Sequence, residues 1–202
     1  MNHIVNTPCG SLRGTDGKMP GTAAFKGIRY ATAGRWEYPT VVTSWEGLYD
    51  ATAYGPSCYQ PMAFRDESIV PDKKFYYYEF RKDVPYTFSE DCLFLNVFAP
   101  GNAKRGEKLP VIVYIHGGSF TSGSSQELPF MEPVWPVKKV IGVTINYRLG
   151  IFGFLTHPFL SEESAHGVSG NYGILDQIAA LKWISNNIEQ FGGDPDNITI
   201  FG

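Results

Sequence analysis

The hydrophobic pattern changes character near residue 92. Before that point, short apolar stretches at residues 4–5, 10–13 and 23–30 are separated by polar turn residues such as those at 14–17. Short strands with intervening turns of this kind predict a small antiparallel unit. Residues 32–89 follow no regular period and are rich in Pro, Gly and aromatic side chains. A stretch of this length is unusual in a compact domain, so we expect it to serve function.

From residue 92 onward, apolar runs of strand length alternate with longer connections. Because these runs are continuous, they predict strands that are covered on both faces. A segment with apolar side chains at the i, i+3, i+4 and i+7 spacing predicts an amphipathic helix near the end of the chain. The predicted strands are 92–98, 109–115, 139–147 and 197–201, and the predicted helix is 173–191. This order indicates an α/β fold with a largely parallel sheet, of which only the first part is present.

Composition narrows the possible partners. The chain has 202 residues, 17 Lys+Arg against 20 Asp+Glu, 43% hydrophobic residues and a net charge of -3. Because the chain is globular, mildly acidic and without basic runs, we do not expect it to bind nucleic acid or anionic membranes. The apolar runs are far shorter than the roughly 20 residues that span a bilayer, and the N-terminus lacks a secretory apolar segment. We therefore expect a cytoplasmic protein without a membrane anchor.

A glycine-rich loop is the first candidate for chemistry. His116-Gly117-Gly118-Ser119-Phe120 directly follows the predicted strand 109–115. Such a loop can present backbone N–H groups to negative charge that develops in an acyl-transfer reaction. Taken alone, the loop is weak evidence for such a site, and a tight turn is the favoured explanation.

The three cysteines, Cys9, Cys58 and Cys92, lack the C-x-x-C spacing of a metal site. Their number is too small for a disulfide scaffold, so the spacing predicts thiols in a reducing compartment. No metal and no cofactor are expected.

Six motifs together resemble, in order and spacing, those of the type-B carboxylesterase family, which includes the cholinesterases. They are SEDCLFLNV at 89–97, IHGGSF at 115–120, NYRLGIFGFL at 146–155, the GNYG and LDQ groups within 170–177, ALKWI at 180–184 and FGGDP at 191–195. With FKGIRY at 25–30, the match spans essentially the whole chain and is most similar to the bacterial branch.

The resemblance implies an α/β-hydrolase fold and a serine hydrolase that acts on small carboxylic esters through an acyl-enzyme. It also implies that residues 1–202 are the N-terminal portion of a single domain. Gly202 matches the first glycine of the G-x-S-x-G nucleophile elbow, so the serine, the acid and the histidine of the triad are expected beyond it. The catalytic base of the family is matched by none of the four histidines, which are His3, His116, His157 and His166. The chain is therefore expected to be inactive alone.

Within the chain, the resemblance assigns half of an oxyanion hole. By motif position, the backbone N–H groups of Gly118 and Ser119 are the donors and Gly117 shapes the turn. Since the donor is a backbone N–H, a serine at position 119 is tolerable where many relatives carry Gly or Ala.

The resemblance also implies structural pairs. Cys58 and Cys92 match the family's first disulfide, whereas Cys9 has no counterpart and is expected as an unpaired thiol. Glu90 is expected to form a salt bridge with Arg35 or Arg148. Neighbouring carboxylates of a strand point to opposite faces, so Glu90 and its neighbour Asp91 cannot act together on one bond.

Two further expectations concern specificity and activity. The segment 30–36 is shorter than the corresponding segment of many relatives, so no relative's substrate preference or oligomeric state is carried over. The alternative function is that of a non-catalytic binding or adhesion protein, because the family includes members that keep the fold and lose the triad.

Asp176 and Trp183, on the predicted helix, are expected to pack rather than to catalyse.

Overall fold

The computed structural model describes residues 2–61, 75, 77–130 and 134–202. Its strands are β1 Asn2–Thr7, β2 Gly10–Asp16, β3 Thr22–Arg29, β4 Ala31–Thr32, β5 Thr40–Val41, β6 Leu48–Asp50, β7 Ser57–Cys58, β8 Phe88–Ser89, β9 Phe94–Pro100, β10 Leu109–Ile115, β11 Ile141–Ile145 and β12 Gly193–Phe201. The α-helices are α1 Gly150–Phe154, α2 Pro158–Glu163 and α3 Tyr172–Asn187. Shorter helical turns are a π-helix at Tyr77–Arg81 and 3₁₀-helices at Leu128–Phe130, Trp135–Lys138 and Ile188–Phe191.

One mixed sheet organises the described residues. Its order is β1-β2-β3-β9-β11-β10-β12, and β6 pairs with β2. The strands from β1 to β11 in this order pair antiparallel, and β10 is parallel to both β11 and β12. The predicted antiparallel unit at the N-terminus is therefore present, and the parallel part is narrower than the pattern suggested.

The direction of β9 has a simple cause. A parallel return needs a crossover of a dozen or more residues, whereas only the short turn 101–108 joins β9 to β10. The two strands therefore run in opposite directions, with β11 between them. Burial on both faces, which the continuous apolar run indicated, does not distinguish the two directions.

Element bounds differ from the predictions mainly at the ends. β10 coincides with the predicted strand 109–115. The predicted helix ends early, because α3 stops at Asn187 and the chain continues as the 3₁₀-helix Ile188–Phe191 before Gly192 turns it at φ 90°. β12 begins four residues before its predicted start, since Gly193 already pairs with Leu109.

The core lies between the sheet and α3. Trp183, Ala180 and Ile184 of the helix are fully buried, together with Leu95 and Val113 from the sheet. Trp183 therefore packs, as expected. Among the helices in the described part of the chain, none has the length and apolarity that crossing a bilayer requires.

The parallel strands set the position of the site. The carboxyl ends of β10, β11 and β12 meet at one edge of the sheet, where α/β proteins usually bind their ligands. The glycine loop leaves β10 at this edge. Gly202 arrives beside it, so close to Ile115 that an added Cβ would overlap the Ile115 carbonyl oxygen.

Candidate active site

The glycine loop adopts a left-handed backbone over three successive residues. The φ angles are 111° at Gly118, 54° at Ser119 and 59° at Phe120. Gly118 needs to be glycine for a second reason, because a Cβ there would overlap the Ser122 carbonyl oxygen. Its own carbonyl oxygen accepts hydrogen bonds from the N–H groups of Thr121 at 3.0 Å and Ser122 at 3.2 Å.

This turn leaves two donors free. Gly118 and Ser119 are exposed, and their backbone N–H groups have no acceptor among residues 2–61, 75, 77–130 and 134–202. Free N–H groups in a left-handed turn form a concavity that suits an anion. The backbone can therefore supply the donors that an oxyanion needs.

His116 is buried and its side chain forms a hydrogen bond with the glycine loop. Its imidazole is 2% exposed, and it stacks on the Tyr147 ring with centroids 4.4 Å apart. Nδ1 donates a hydrogen bond to the Gly117 carbonyl oxygen at 2.9 Å, and the Tyr147 hydroxyl donates to the His116 carbonyl oxygen at 2.8 Å. Burial lowers the pKa of His116 to about 4. The imidazole is neutral near pH 7, and its contacts hold the loop.

We expect His116 to make the stability of the protein depend on pH between 6.5 and 4. Because its pKa is near 4 in the folded state and 6.5 in the unfolded state, the unfolded chain binds more protons in this window. The free energy of unfolding of the full-length protein should therefore fall by about 2–3 kcal/mol from pH 7 to pH 4.5 on account of this residue. Urea titrations of wild type and His116→Phe measure it. Equal pH slopes in the two proteins would contradict this assignment.

A buried polar segment follows the loop and was not found from the sequence. Residues 124–127, Ser-Ser-Gln-Glu, are all at most 6% exposed. Neighbouring elements satisfy their polar groups: the Asn146 amide oxygen accepts from the Ser125 N–H at 2.8 Å, and the Ser57 and Ser124 hydroxyls are 2.8 Å apart. Four consecutive polar residues look like an exposed loop in the sequence, and only the partners from distant segments reveal the burial.

Glu127 is the ionisable side chain of this buried segment. The Tyr114 hydroxyl donates to Glu127 Oε2 at 2.9 Å, and Arg81 Nη2 lies 3.4 Å from Oε1. Burial raises the pKa of Glu127 and outweighs the lowering effects of Tyr114 and Arg81. Both members of the ion pair are buried, with their side chains 7% and 8% exposed.

The structure resolves the choice of partner for Glu90. Arg35 binds Glu90, with Nε donating to Oε2 at 2.8 Å, and lowers the pKa of that carboxyl. Arg148, the other candidate, does not bind Glu90 and pairs with Asp176 instead. Asp91 is held separately by Arg29. Glu90 and Asp91 thus have different partners.

The Arg148–Asp176 pair links α3 to the end of β11. Arg148 donates from Nε and Nη2 to the two carboxylate oxygens, both at 2.8 Å, and its N–H donates to Oδ2 at 3.0 Å. Nη1 donates to the carbonyl oxygens of Gly34 and Glu37. The two side chains are 4% and 0% exposed. Asp176 therefore has a structural role, as expected.

The structure departs from the thiol expectation at Cys58 and Cys92 and has instead the pair that the resemblance implied, whereas Cys9 is a thiol as expected. Cys58 and Cys92 form a disulfide with Cα atoms 5.1 Å apart, and Cys9 is free and buried. The bond ties β7, next to the buried polar segment, to the start of β9. Within the described residues, no group of His, Cys, Asp or Glu side chains has the arrangement that holds a metal ion.

Comparison with known proteins identifies relatives of this chain. The model of the carboxylesterase family matches residues 1–202. The chain is 43% identical to the para-nitrobenzyl esterase of Bacillus subtilis, over 100% of this chain and 38% of that protein. It is 38% identical to the fumonisin B1 esterase of Sphingopyxis macrogoltabida, over 98% of this chain and 34% of that protein.

Solved structures agree. A thermophilic para-nitrobenzyl esterase superimposes with a TM-score of 0.80 at 42% identity, covering 100% of this chain and 38% of its own. A Geobacillus stearothermophilus carboxylesterase gives 0.79 at 40% identity, covering 98% of this chain and 38% of its own. The chain thus spans little more than a third of the length of these relatives. The likeness confirms the α/β-hydrolase fold, and the chain belongs to the carboxylesterase family.

Proposed function

We propose that the full-length protein is a serine hydrolase of small carboxylic esters and that this chain is the N-terminal portion of its single catalytic domain. One observation carries the proposal. The free N–H groups of Gly118 and Ser119 lie at the carboxyl end of β10, next to the point where Gly202 follows β12. Oxyanion donors and a nucleophile elbow belong at this edge of an α/β-hydrolase sheet.

The chemistry assigns one task to this chain. A serine hydroxyl would pass its proton to the base of the triad as it attacks the ester carbonyl carbon, which pushes the carbonyl π electrons onto oxygen, and the base would then give that proton to the leaving alcohol. Gly118 and Ser119 would donate hydrogen bonds to that oxyanion, and Gly117 would shape the turn. The alcohol then leaves with a proton, and water hydrolyses the acyl-enzyme. Each donor of this kind contributes roughly 3 kcal/mol to transition-state stabilisation.

Gly202 would be the first glycine of the G-x-S-x-G elbow, which would place the serine two residues further along. The chain alone would then lack the nucleophile, the acid and the base. Both curated relatives are esterases, which supports the reaction class, and the coverage of 34–38% of their length supports the assignment of the triad to the remaining length.

An assay on a short-chain nitrophenyl ester tests the proposal. The full-length protein should turn the ester over and should be labelled covalently by a fluorophosphonate, whereas residues 1–202 alone should do neither. Active-site-dependent turnover by the 202-residue chain would contradict the assignment of the triad. A full-length protein with neither turnover nor labelling would favour the non-catalytic binding alternative.

A further inference from the structure

We propose that Gln60 is a positioning residue for the glycine loop: its side-chain amide holds Gly123, and Gly123 in turn holds the turn that presents the N–H groups of Gly118 and Ser119. Within the described residues, the Gln60 side chain forms its hydrogen bonds with Cys58, Arg81 and Gly123, and none with Gly118 or Ser119. The inference rests on the proposed function, since positioning matters there for oxyanion stabilisation.

The amide of Gln60 pairs with both backbone groups of a single residue. Nε2 donates to the Gly123 carbonyl oxygen at 2.7 Å, and Oε1 accepts from the Gly123 N–H at 2.9 Å. This reciprocal pair of hydrogen bonds is the one that a neighbouring antiparallel β-strand would form with Gly123. Nε2 also donates to the Cys58 carbonyl oxygen at 3.1 Å, and Arg81 Nη1 lies 3.4 Å from Oε1. These partners determine which end of the amide faces each group of the loop.

Gly123 transmits this constraint to the start of the loop. Its φ is 118°, and an added Cβ would overlap both the His116 imidazole and the Gly117 carbonyl oxygen. The main chain at Gly123 therefore lies directly against the residues that lead into the turn. The two residues that precede Gly123, Thr121 and Ser122, donate hydrogen bonds from their N–H groups to the Gly118 carbonyl oxygen. A shift of Gly123 consequently shifts Gly118.

Gln60 is itself held rigidly. It lies two residues after Cys58, which the disulfide joins to Cys92. The Arg81 guanidinium beside its amide is paired with buried Glu127. Groups that orient a catalytic loop act best when their own position is locked by packing and further hydrogen bonds. The surroundings of Gln60 meet this condition.

The test compares Gln60→Met with Gln126→Met in the full-length enzyme. Methionine keeps the length of the side chain and removes the amide. Gln126 is a matched control, because its Nε2 donates to the Gly55 carbonyl oxygen at 2.7 Å, and within the described part of the chain its hydrogen bonds go to Gly55 and Ser124 rather than to residues 116–123. Turnover is measured per active site, titrated with a fluorophosphonate, so that unfolded protein does not count.

For Gln60→Met we expect kcat to fall about 10- to 100-fold, because displaced donors lose part of the roughly 10²- to 10³-fold effect of a missing oxyanion donor. KM should change less than about threefold, since the substrate makes these contacts only in the transition state. The affinity for a trifluoromethyl ketone, which forms an oxyanion adduct, should fall in parallel with kcat/KM. Gln126→Met should retain its kcat. Equal per-site kcat in the two variants would overturn the inference.

Amide hydrogen exchange separates this inference from the proposed function. If the wild type shows no turnover, the proposed function fails, but exchange at Thr121, Ser122 and Gly123 still reports on the anchor. These amides should exchange about tenfold faster in Gln60→Met than in wild type or Gln126→Met. Unchanged exchange would show that Gln60 does not position the loop.

Discussion

Replacing Arg148 by methionine should lower the free energy of unfolding of the full-length protein by about 3–5 kcal/mol, because it leaves a buried carboxylate without its counter-charge. Asp176 is 0% exposed and accepts hydrogen bonds from three nitrogen atoms of Arg148. Burial already raises the pKa of Asp176, and Arg148 opposes that effect. Without the guanidinium, the hydrogen bonds from Nε and Nη2 would be lost, and the backbone N–H of residue 148 would remain as a donor to this carboxylate.

Urea unfolding measures this effect, and Arg105→Met is the matched control. Arg105 pairs with Glu189 at 3.3 Å, but the side chains are 68% and 41% exposed. An exposed pair contributes less than about 1 kcal/mol. The double variant Arg148→Met/Asp176→Leu should recover most of the loss, because it removes the buried charge as well. A loss below about 1 kcal/mol for Arg148→Met would contradict the structural role of the pair.

Gly118→Ala should reduce kcat of the full-length enzyme by about 10²- to 10³-fold, the effect of losing an oxyanion donor. The added Cβ would overlap the Ser122 carbonyl oxygen, and alanine disfavours a φ of 111°. Either strain is relieved by moving the turn, which displaces the N–H groups of residues 118 and 119. The measurement is kcat per titrated active site on a nitrophenyl ester.

Gly106→Ala provides the control for backbone strain. Gly106 has a φ of 89°, but an added Cβ would meet no atom within 4 Å. Its substitution should cost about 1 kcal/mol of stability and leave kcat unchanged. If Gly118→Ala behaved in the same way, the glycine loop would not be the source of the oxyanion donors.

Local pattern was enough to predict the elements whose neighbours are close in the chain or all apolar. The continuous apolar run of β10 predicted its bounds without error, because no charged or amide side chain interrupts the strand, although Pro110 is exposed and Ile112 half-buried. The period of α3 was equally clear, although its last turn becomes 3₁₀. The direction of β9 could not be read in this way, since both directions bury the same side chains.

The residues of the candidate site also differ in whether the local sequence predicted them. The motif IHGGSF marked the loop, in which Gly118 has a φ of 111°. Ser119 and Phe120 also adopt positive φ, which their side chains do not suggest. Gln60 and the buried segment 124–127 carried no signal, because the partners that position them include residues from distant segments: Gly123 is 63 residues from Gln60, and Asn146 is 21 residues from Ser125.

The sequence by itself determined the class of fold, the family resemblance and the position of the glycine loop, since these depend on apolar periodicity and on motifs that are contiguous in the chain. Only the tertiary structure decided that Arg148 pairs with Asp176 and Arg35 with Glu90, and that Gln60 binds Gly123. A hydrogen bond depends on distances of about 3 Å between atoms from distant segments. Those distances exist only after the sheet has brought β7, β10 and α3 together.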